Sequence, residues 1–182
     1  MRITLMRHGE PQLTKGRWIA PLQMGEWIDL YNQSVIKDND IPAECPLAAL
    51  AASTIVASTA PRACSTARAL GDLPFTQEAI FTEAELPFAL WKAPWLPPEA
   101  WAVIFRLLWL CGYARGSDSL TLTRQRAKAA AERLVALAAK GPVLLVGHGI
   151  MNRLIGKELQ ALGWLASNRQ GSRYLSMGVY EL

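Results

Sequence analysis

The chain has only two histidines, and each stands directly before a glycine at the end of an apolar run. Arg7-His8-Gly9-Glu10 follows Ile3-Thr4-Leu5-Met6, and Gly147-His148-Gly149 follows Val143-Leu144-Leu145-Val146. In an open α/β sheet, ligands bind beyond the carboxyl ends of the strands, so two strand-end histidines can face one another across one pocket. A third apolar run, Thr54 to Ala57, leads into Ser58-Thr59-Ala60-Pro61-Arg62, which opens a helix. Helix N-termini favour anions, and an arginine offers a planar fork matched to phosphate oxygens. Arg7, Arg62, His8 and His148 would make an electropositive pocket suited to a phosphoryl group. Transfer of such a group needs positioning and charge neutralisation more than elaborate covalent machinery.

The elements that must position these residues alternate. Arg2 to Met6 reads as a buried strand, followed by a loop with Pro11, Gly16 and Pro21. Glu26 to Val35 has helical spacing, Thr54 to Ala57 is a short buried strand, and Pro61 to Leu70 is a helix with Gly71 past its end. Phe75 to Phe81 reads as a weaker strand, and the Pro- and Trp-rich stretch from Pro87 to Pro98 as irregular. Helices are expected at Glu99 to Leu110, Thr121 to Lys140 and Ile150 to Leu162, and strands at Val143 to Val146 and Tyr174 to Leu182. Alternating strands and helices predict an α/β fold.

Composition narrows the class. The 182 residues are 51% hydrophobic and 19% charged, which suits one domain with a sizeable core. A net charge of +4 with no Lys/Arg run or zinc-finger pattern argues against nucleic acid and fits an anionic substrate. Cys45, Cys64 and Cys111 are odd in number and far apart, as in a reduced cytoplasmic protein, and they lack metal-ligand spacing. The most apolar segment, Trp101 to Gly112, is too short to cross a membrane, and no signal-peptide pattern is present.

With these residues in place, the sequence resembles the histidine phosphatase superfamily, which contains the cofactor-dependent phosphoglycerate mutases and many small phosphatases. Arg7-His8-Gly9-Glu10 matches its R-H-G-[ED] signature. Ser58 to Ala67 matches S-S-x-x-R-A-x-x-T-A, and Gly147-His148-Gly149 matches the third motif, with Arg153 where an arginine often follows. The ordered set covers nearly the whole chain.

The resemblance implies a three-layer α/β/α sandwich with a mainly parallel sheet. It implies a single domain over 1–182 with a small helical lid inserted at about 82–119. It implies a phosphomonoester hydrolase with His8 as nucleophile, forming phosphohistidine. Arg7, Arg62 and His148 would hold the phosphoryl oxygens beside Gly9, and Glu83 would be the general acid. No metal or organic cofactor is implied.

The family often reads L-x-E-x-D-x-G-x-W-E-G near the acid, whereas this chain has Phe81-Thr82-Glu83-Ala84-Glu85-Leu86-Pro87. Glu85 is therefore a second candidate. The asparagine that many members carry after R-H-G-E is also missing, so the family's phosphate contacts from this loop do not carry over to residues 11–18.

Other readings stand beside this one. A thiol phosphatase needs five residues between cysteine and arginine, but Cys64 and Arg68 have three, so Cys64 is expected to be a buried helix residue. Trp91, Trp95, Trp101 and Trp109 are expected to pack the lid rather than to wall the substrate. Arg106, Arg115, Arg124 and Arg126 are expected on solvated faces. The substrate is a small-molecule phosphomonoester or a phosphoprotein, the alternatives being a phosphohistidine protein phosphatase and a non-catalytic phosphoester-binding module. The short insertion leaves water access to the intermediate, so a phosphatase is expected rather than a mutase.

Overall fold

The computed structural model describes residues 1–13, 17–38 and 41–182. Gly16, expected in the loop after the first strand, lies outside the described residues. Six strands form one sheet: β1 (Arg2–Arg7), β2 (Thr54–Ala57), β3 (Thr76–Gln77), β4 (Val143–Gly147), β5 (Leu165–Asn168) and β6 (Met177–Glu181). Their order is β3-β2-β4-β1-β6-β5. The first four are mutually parallel, and β6 and β5 complete the sheet antiparallel. The α/β fold is as the alternating sequence predicts, and the mainly parallel sheet is as the resemblance implies.

Side chains alternate across a strand, and here each face is covered. On one face, Ile3, Leu5, Val56, Val143 and Leu145 pack against α5 (Leu120–Ala138) and α6 (Gly149–Ala161). Ala127, Ala130 and Ala131 are fully buried there, and their small size lets α5 lie close to the sheet. On the other face, Met6, Ile55, Ala57, Leu144 and Val146 meet Ala49 of α2 (Glu44–Leu50) and Ala63 and Ala67 of α3 (Pro61–Ala69). Leu145 has no exposed surface, and truncating such a residue to alanine costs about 2–5 kcal/mol. Both faces of β4 are buried, which explains its unbroken apolar sequence.

A third cluster lies apart from the sheet. Met24 of α1 (Met24–Gln33) meets Ala89 and the Trp101 and Phe105 side chains of α4 (Pro98–Leu110). The Trp101 indole N–H donates to the Ile19 carbonyl at 2.9 Å, and Ile19 pairs with Leu96. This cluster fixes the segment between Thr82 and Ser119 onto α1.

Element ends follow local chemistry. Pro61 opens α3, and Gly71, with φ 135°, follows it in a conformation glycine adopts at little cost. Ser119 caps α5 by accepting from the Leu122 N–H. The strand expected from Phe75 to Phe81 is reduced to Thr76–Gln77 and then turns into a single 3-10 turn at Ala79–Phe81. The final strand begins at Met177 rather than Tyr174, because the preceding residues fold over the end of β1.

Candidate active site

Strands β1 and β4 are parallel neighbours with Arg7 opposite Gly147, so their ends are level. His8 and His148 therefore leave the sheet side by side. Their ring centroids lie 5.1 Å apart at 63°, and both side chains are buried. The His8 backbone N–H donates to Gly147 O at 2.9 Å. Asn152, one helical turn beyond His148, donates to Met6 O at 3.0 Å and accepts from His148 N at 3.3 Å. It thus ties the two strand ends together. A side chain at Gly147 would collide with the Asn152 carboxamide, so this position requires glycine.

The His8 ring is fixed by its own neighbour. Nδ1 lies 2.7 Å from Gly9 O. A carbonyl only accepts, so the network assigns the ring proton to Nδ1 and leaves the Nε2 lone pair free. Gly9 N–H donates to Thr66 Oγ1 at 2.9 Å, which anchors that turn to α3. Gly9 accordingly acts on His8, with both its backbone polar groups already engaged. Burial, and then the neighbouring His148 and Arg62, lower the His8 pKa to about 2. The imidazole is therefore neutral. Burial, with Arg62, Arg7 and Arg126, also holds His148 well below the usual histidine range.

Ser58, at the end of β2, lies 2.8 Å from His148 Nε2 and accepts from the Ala60 N–H. If the Ser58 hydroxyl donates to Nε2, the single ring proton of the neutral imidazole sits on Nδ1. That nitrogen is buried and has no protein partner, and the same is true of Arg7 Nε and Arg62 Nε. Buried donors without partners are costly, and an anionic oxygen would satisfy them. Arg62 is held from behind by the Tyr31 carbonyl at 3.2 Å, the Asn32 side chain and the Tyr31 ring 4.5 Å away. Arg7 donates to the Ser172 carbonyl and stacks 4.4 Å from the Tyr174 ring. Tyr174 also lies 5.7 Å from the His8 ring, and His8 is 1% exposed beneath this cover.

Glu83 sits at the N-terminus of α6, beside His148. Its carboxylate accepts from the N–H groups of Met151 (2.9 Å), Ile150 (3.2 Å) and Ala84 (2.9 Å). The positive end of the helix thus faces this carboxylate. Glu85 lies further out, and its carboxylate accepts from the Asp118 N–H at 2.9 Å. The structure thus brings Arg7, Arg62, His8, His148, Gly9 and Glu83 together and leaves Glu85 at the outer part of the same cavity. That cavity holds about 1330 Å³, with Arg7, Arg62 and Glu83 among its walls.

Two arginines expected on solvated faces turn inward instead. Arg126 donates to the carbonyls of Thr82 and Glu83 at 2.6 and 3.2 Å, and Arg106 to those of Ala84 and Glu85 at 2.9 and 3.1 Å. Residues 82–85 offer their carbonyls away from any strand or helix, and the two guanidinium groups satisfy them. Both arginines were legible only as members of helices; nothing in their spacing marked their direction. Arg153 is exposed, as are Arg115 and Arg124.

Cys64 is buried in α3 and its thiol lies 3.3 Å from Ser58 O, as expected of a helix-packing residue. Trp101 is buried in the third cluster, Trp109 is buried with its indole N–H donating to Asp118 O at 2.7 Å, and Trp91 and Trp95 are half exposed. The aromatic walls of the cavity are instead Trp27, Tyr31, Phe88 and Tyr174. Among the described residues no group of histidine, cysteine and carboxylate side chains is arranged to hold a metal, and no helix is long and apolar enough to cross a membrane.

The comparisons agree with this architecture. The sequence profile of the histidine phosphatase superfamily (branch 1) matches residues 3–181. No curated protein sequence matches with significance. Among solved structures, the ecdysone phosphate phosphatase of Bombyx mori, in complex with tungstate, superposes with a TM-score of 0.62 at 16% identity, covering 99% of this chain and 90% of its own. A mycobacterial glucosyl-3-phosphoglycerate phosphatase complexed with VO3 gives a TM-score of 0.61 at 20% identity, covering 98% and 91%. Phosphoserine phosphatase from Entamoeba histolytica, in complex with 3-phosphoglyceric acid, gives 0.58 at 17% identity, covering 98% and 89%. At these identities the structures establish a shared fold, and the profile match supplies the family. The chain belongs to branch 1 of the histidine phosphatase superfamily and is an enzyme that hydrolyses phosphate esters.

Proposed function

We propose that the chain hydrolyses a small-molecule phosphomonoester through a phosphohistidine intermediate on His8 Nε2. The observation that carries this reading is the neutral His8 ring, its proton on Nδ1, set 5.1 Å from His148 and beside the unpartnered buried nitrogens of Arg7 and Arg62. Nε2 attacks phosphorus as the bond to the alcohol oxygen breaks. Glu83, in its protonated form, gives its proton to the departing alkoxide. Water then attacks the phosphohistidine, Glu83 takes a proton from it, and inorganic phosphate leaves a neutral His8. Throughout, the N–H groups of Arg7, Arg62 and His148 meet the charge on the phosphoryl oxygens.

Glu83 is favoured over Glu85 because it lies beside His148, whereas Glu85 is bonded to the Asp118 backbone further out. We read 82–119 as a lid of one domain spanning 1–182, since α4 packs on α1 and Arg106 and Arg126 hold its first residues. The structural neighbours include an ecdysone phosphate phosphatase and a phosphoserine phosphatase, so the phosphoryl end is the common element. The test is neutral quenching during turnover of an aryl phosphate, followed by mass spectrometry. Phosphate is expected on His8. Phosphate on another residue, or undiminished turnover in His8→Ala, would falsify the mechanism.

A further inference from the structure

The cavity is far larger than a phosphate, and its charges are divided. At the inner end stand Arg7 and Arg62, each with a buried Nε that no protein group meets. The remaining described cations in its walls are engaged. Arg106 and Arg126 donate to the carbonyls of residues 80–85, and Lys37 is paired with Glu10. The outer part carries the carboxylates of Asp29, Glu85, Glu99 and Asp118.

The same lining is partly apolar. Trp27, Leu86 and Phe88 face the same space as Val103 and Leu107 of α4. Val103 and Leu107, one helical turn apart, are 62% and 58% exposed, although the opposite side of α4 is buried through Trp101, Phe105 and Trp109. A helix that keeps large aliphatic side chains in water on a cavity wall gains when an apolar group covers them. The cavity is continuous with the phosphoryl end, so the group best placed to cover them is the alcohol part of the ester itself. A carboxylate or second phosphate there would meet four acids, while the Arg106 and Arg126 guanidinium groups, though still charged, are held on the carbonyls of residues 82–85.

We propose that the outer cavity selects phosphomonoesters whose alcohol is bulky, apolar and free of negative charge, with Val103 and Leu107 as specificity-determining contacts. The proposal rests on the hydrolase reading above and deepens it, because it names the substrate class of the same site. It also replaces the expectation of a generally anionic substrate: the anionic part is the phosphoryl group alone.

The test compares kcat/KM for 2-naphthyl phosphate, 6-carboxy-2-naphthyl phosphate and 3-phosphoglycerate, with His8→Ala as the blank. The added carboxylate withdraws electrons and makes the better leaving group, so a preference for the uncarboxylated ester reports on binding. At least tenfold preference for 2-naphthyl phosphate over each anionic substrate is expected. Leu107→Arg and Val103→Arg, both at exposed positions, should each narrow the naphthyl-to-carboxynaphthyl ratio by tenfold or more. Equal or faster turnover of the carboxylated ester overturns the proposal, as does a ratio that neither arginine variant moves. No hydrolysis of any of the three sinks the hydrolase reading itself, a result distinct from hydrolysis without selectivity.

Discussion

The hydroxyl of Ser58 lies 2.8 Å from His148 Nε2, and it joins the end of β2 to the end of β4 across the pocket floor. In the proposed mechanism this bond would set which nitrogen of His148 carries the proton offered to the phosphoryl group. Ser58→Ala leaves the tautomer free and a buried nitrogen without a partner. A loss of about tenfold in kcat/KM is expected, near 1.4 kcal/mol. Steady-state kinetics beside urea unfolding separate the two effects. A variant that loses stability but no rate would show that the serine only supports the fold.

The two histidines are buried neutral, so acid should unfold the protein through them. Their folded pKa values lie below the ordinary 6.5, with His8 near 2, so below pH 6.5 the unfolded chain binds more protons than the folded one. Stability therefore rises with pH in this window and is lost as pH falls from 6.5 toward the folded values. Each histidine contributes up to about 1.4 kcal/mol per pH unit. Urea midpoints between pH 7 and 4.5 in phosphate-free buffer should drop, and the drop should be shallower in His148→Gln. An equally steep drop in that variant would assign the acid sensitivity to other groups.

Glu83 and Glu85 are separable by leaving group. Glu83→Gln should slow an alkyl phosphate by a hundredfold or more, with much less effect on p-nitrophenyl phosphate, whose leaving group needs no proton. The same change removes a charge from the N-terminus of α6 and should cost about 0.5–1 kcal/mol of stability. Glu85→Gln should change neither rate by more than a few fold. The reverse pattern would move the acid to Glu85.

Arg126 is expected to act as a positioning residue for Glu83. Its planar fork serves the carbonyls of Thr82 and Glu83 together, which a single ammonium cannot do. Arg126→Lys should lower kcat on an alkyl phosphate about tenfold and leave p-nitrophenyl phosphate nearly unaffected. Equal losses on both substrates would mean that the variant disturbs the pocket as a whole.

In the proposed mechanism Arg7, Arg62 and His148 would meet the charge on the phosphoryl group, so turnover should persist in excess EDTA. Arg62→Lys should cost a large part of the rate, since the fork is lost. Restoration of an EDTA-silenced enzyme by a divalent ion would contradict this account.

Much of this was legible because it rests on local pattern. The apolar runs ending in His8 and His148, and Pro61 opening α3, give strand and helix boundaries by their own chemistry. Residues that work through distance were not legible. Asn152 reads as an ordinary helix residue and Thr66 only as a position of the second motif, and only the fold brings them to Met6 and Gly9. Arg106 and Arg126 looked like solvent-facing cations, because a free carbonyl loop leaves no trace in the spacing of its partners. The helix at Glu44–Leu50 is short and carries Pro46, which hides a helical period, and β5 is an edge strand of four residues with little apolar alternation. The long strand expected from Tyr174 stops short because Tyr174 covers His8 instead.

The level pairing of β1 with β4 makes the pocket sensitive to chain length in a particular way. Successive residues of a strand point to opposite faces, so losing or gaining one residue between Val143 and Gly147 would do more than displace His148 by a few ångströms. It would exchange the inward and outward sets along the strand and break the opposition of Arg7 to Gly147. Length variation among relatives should therefore be absent from these two strands and gather in stretches such as 90–96, where the backbone belongs to no helix or sheet strand and is tied down by an isolated bridge at Leu96 and one bond to Trp91 O.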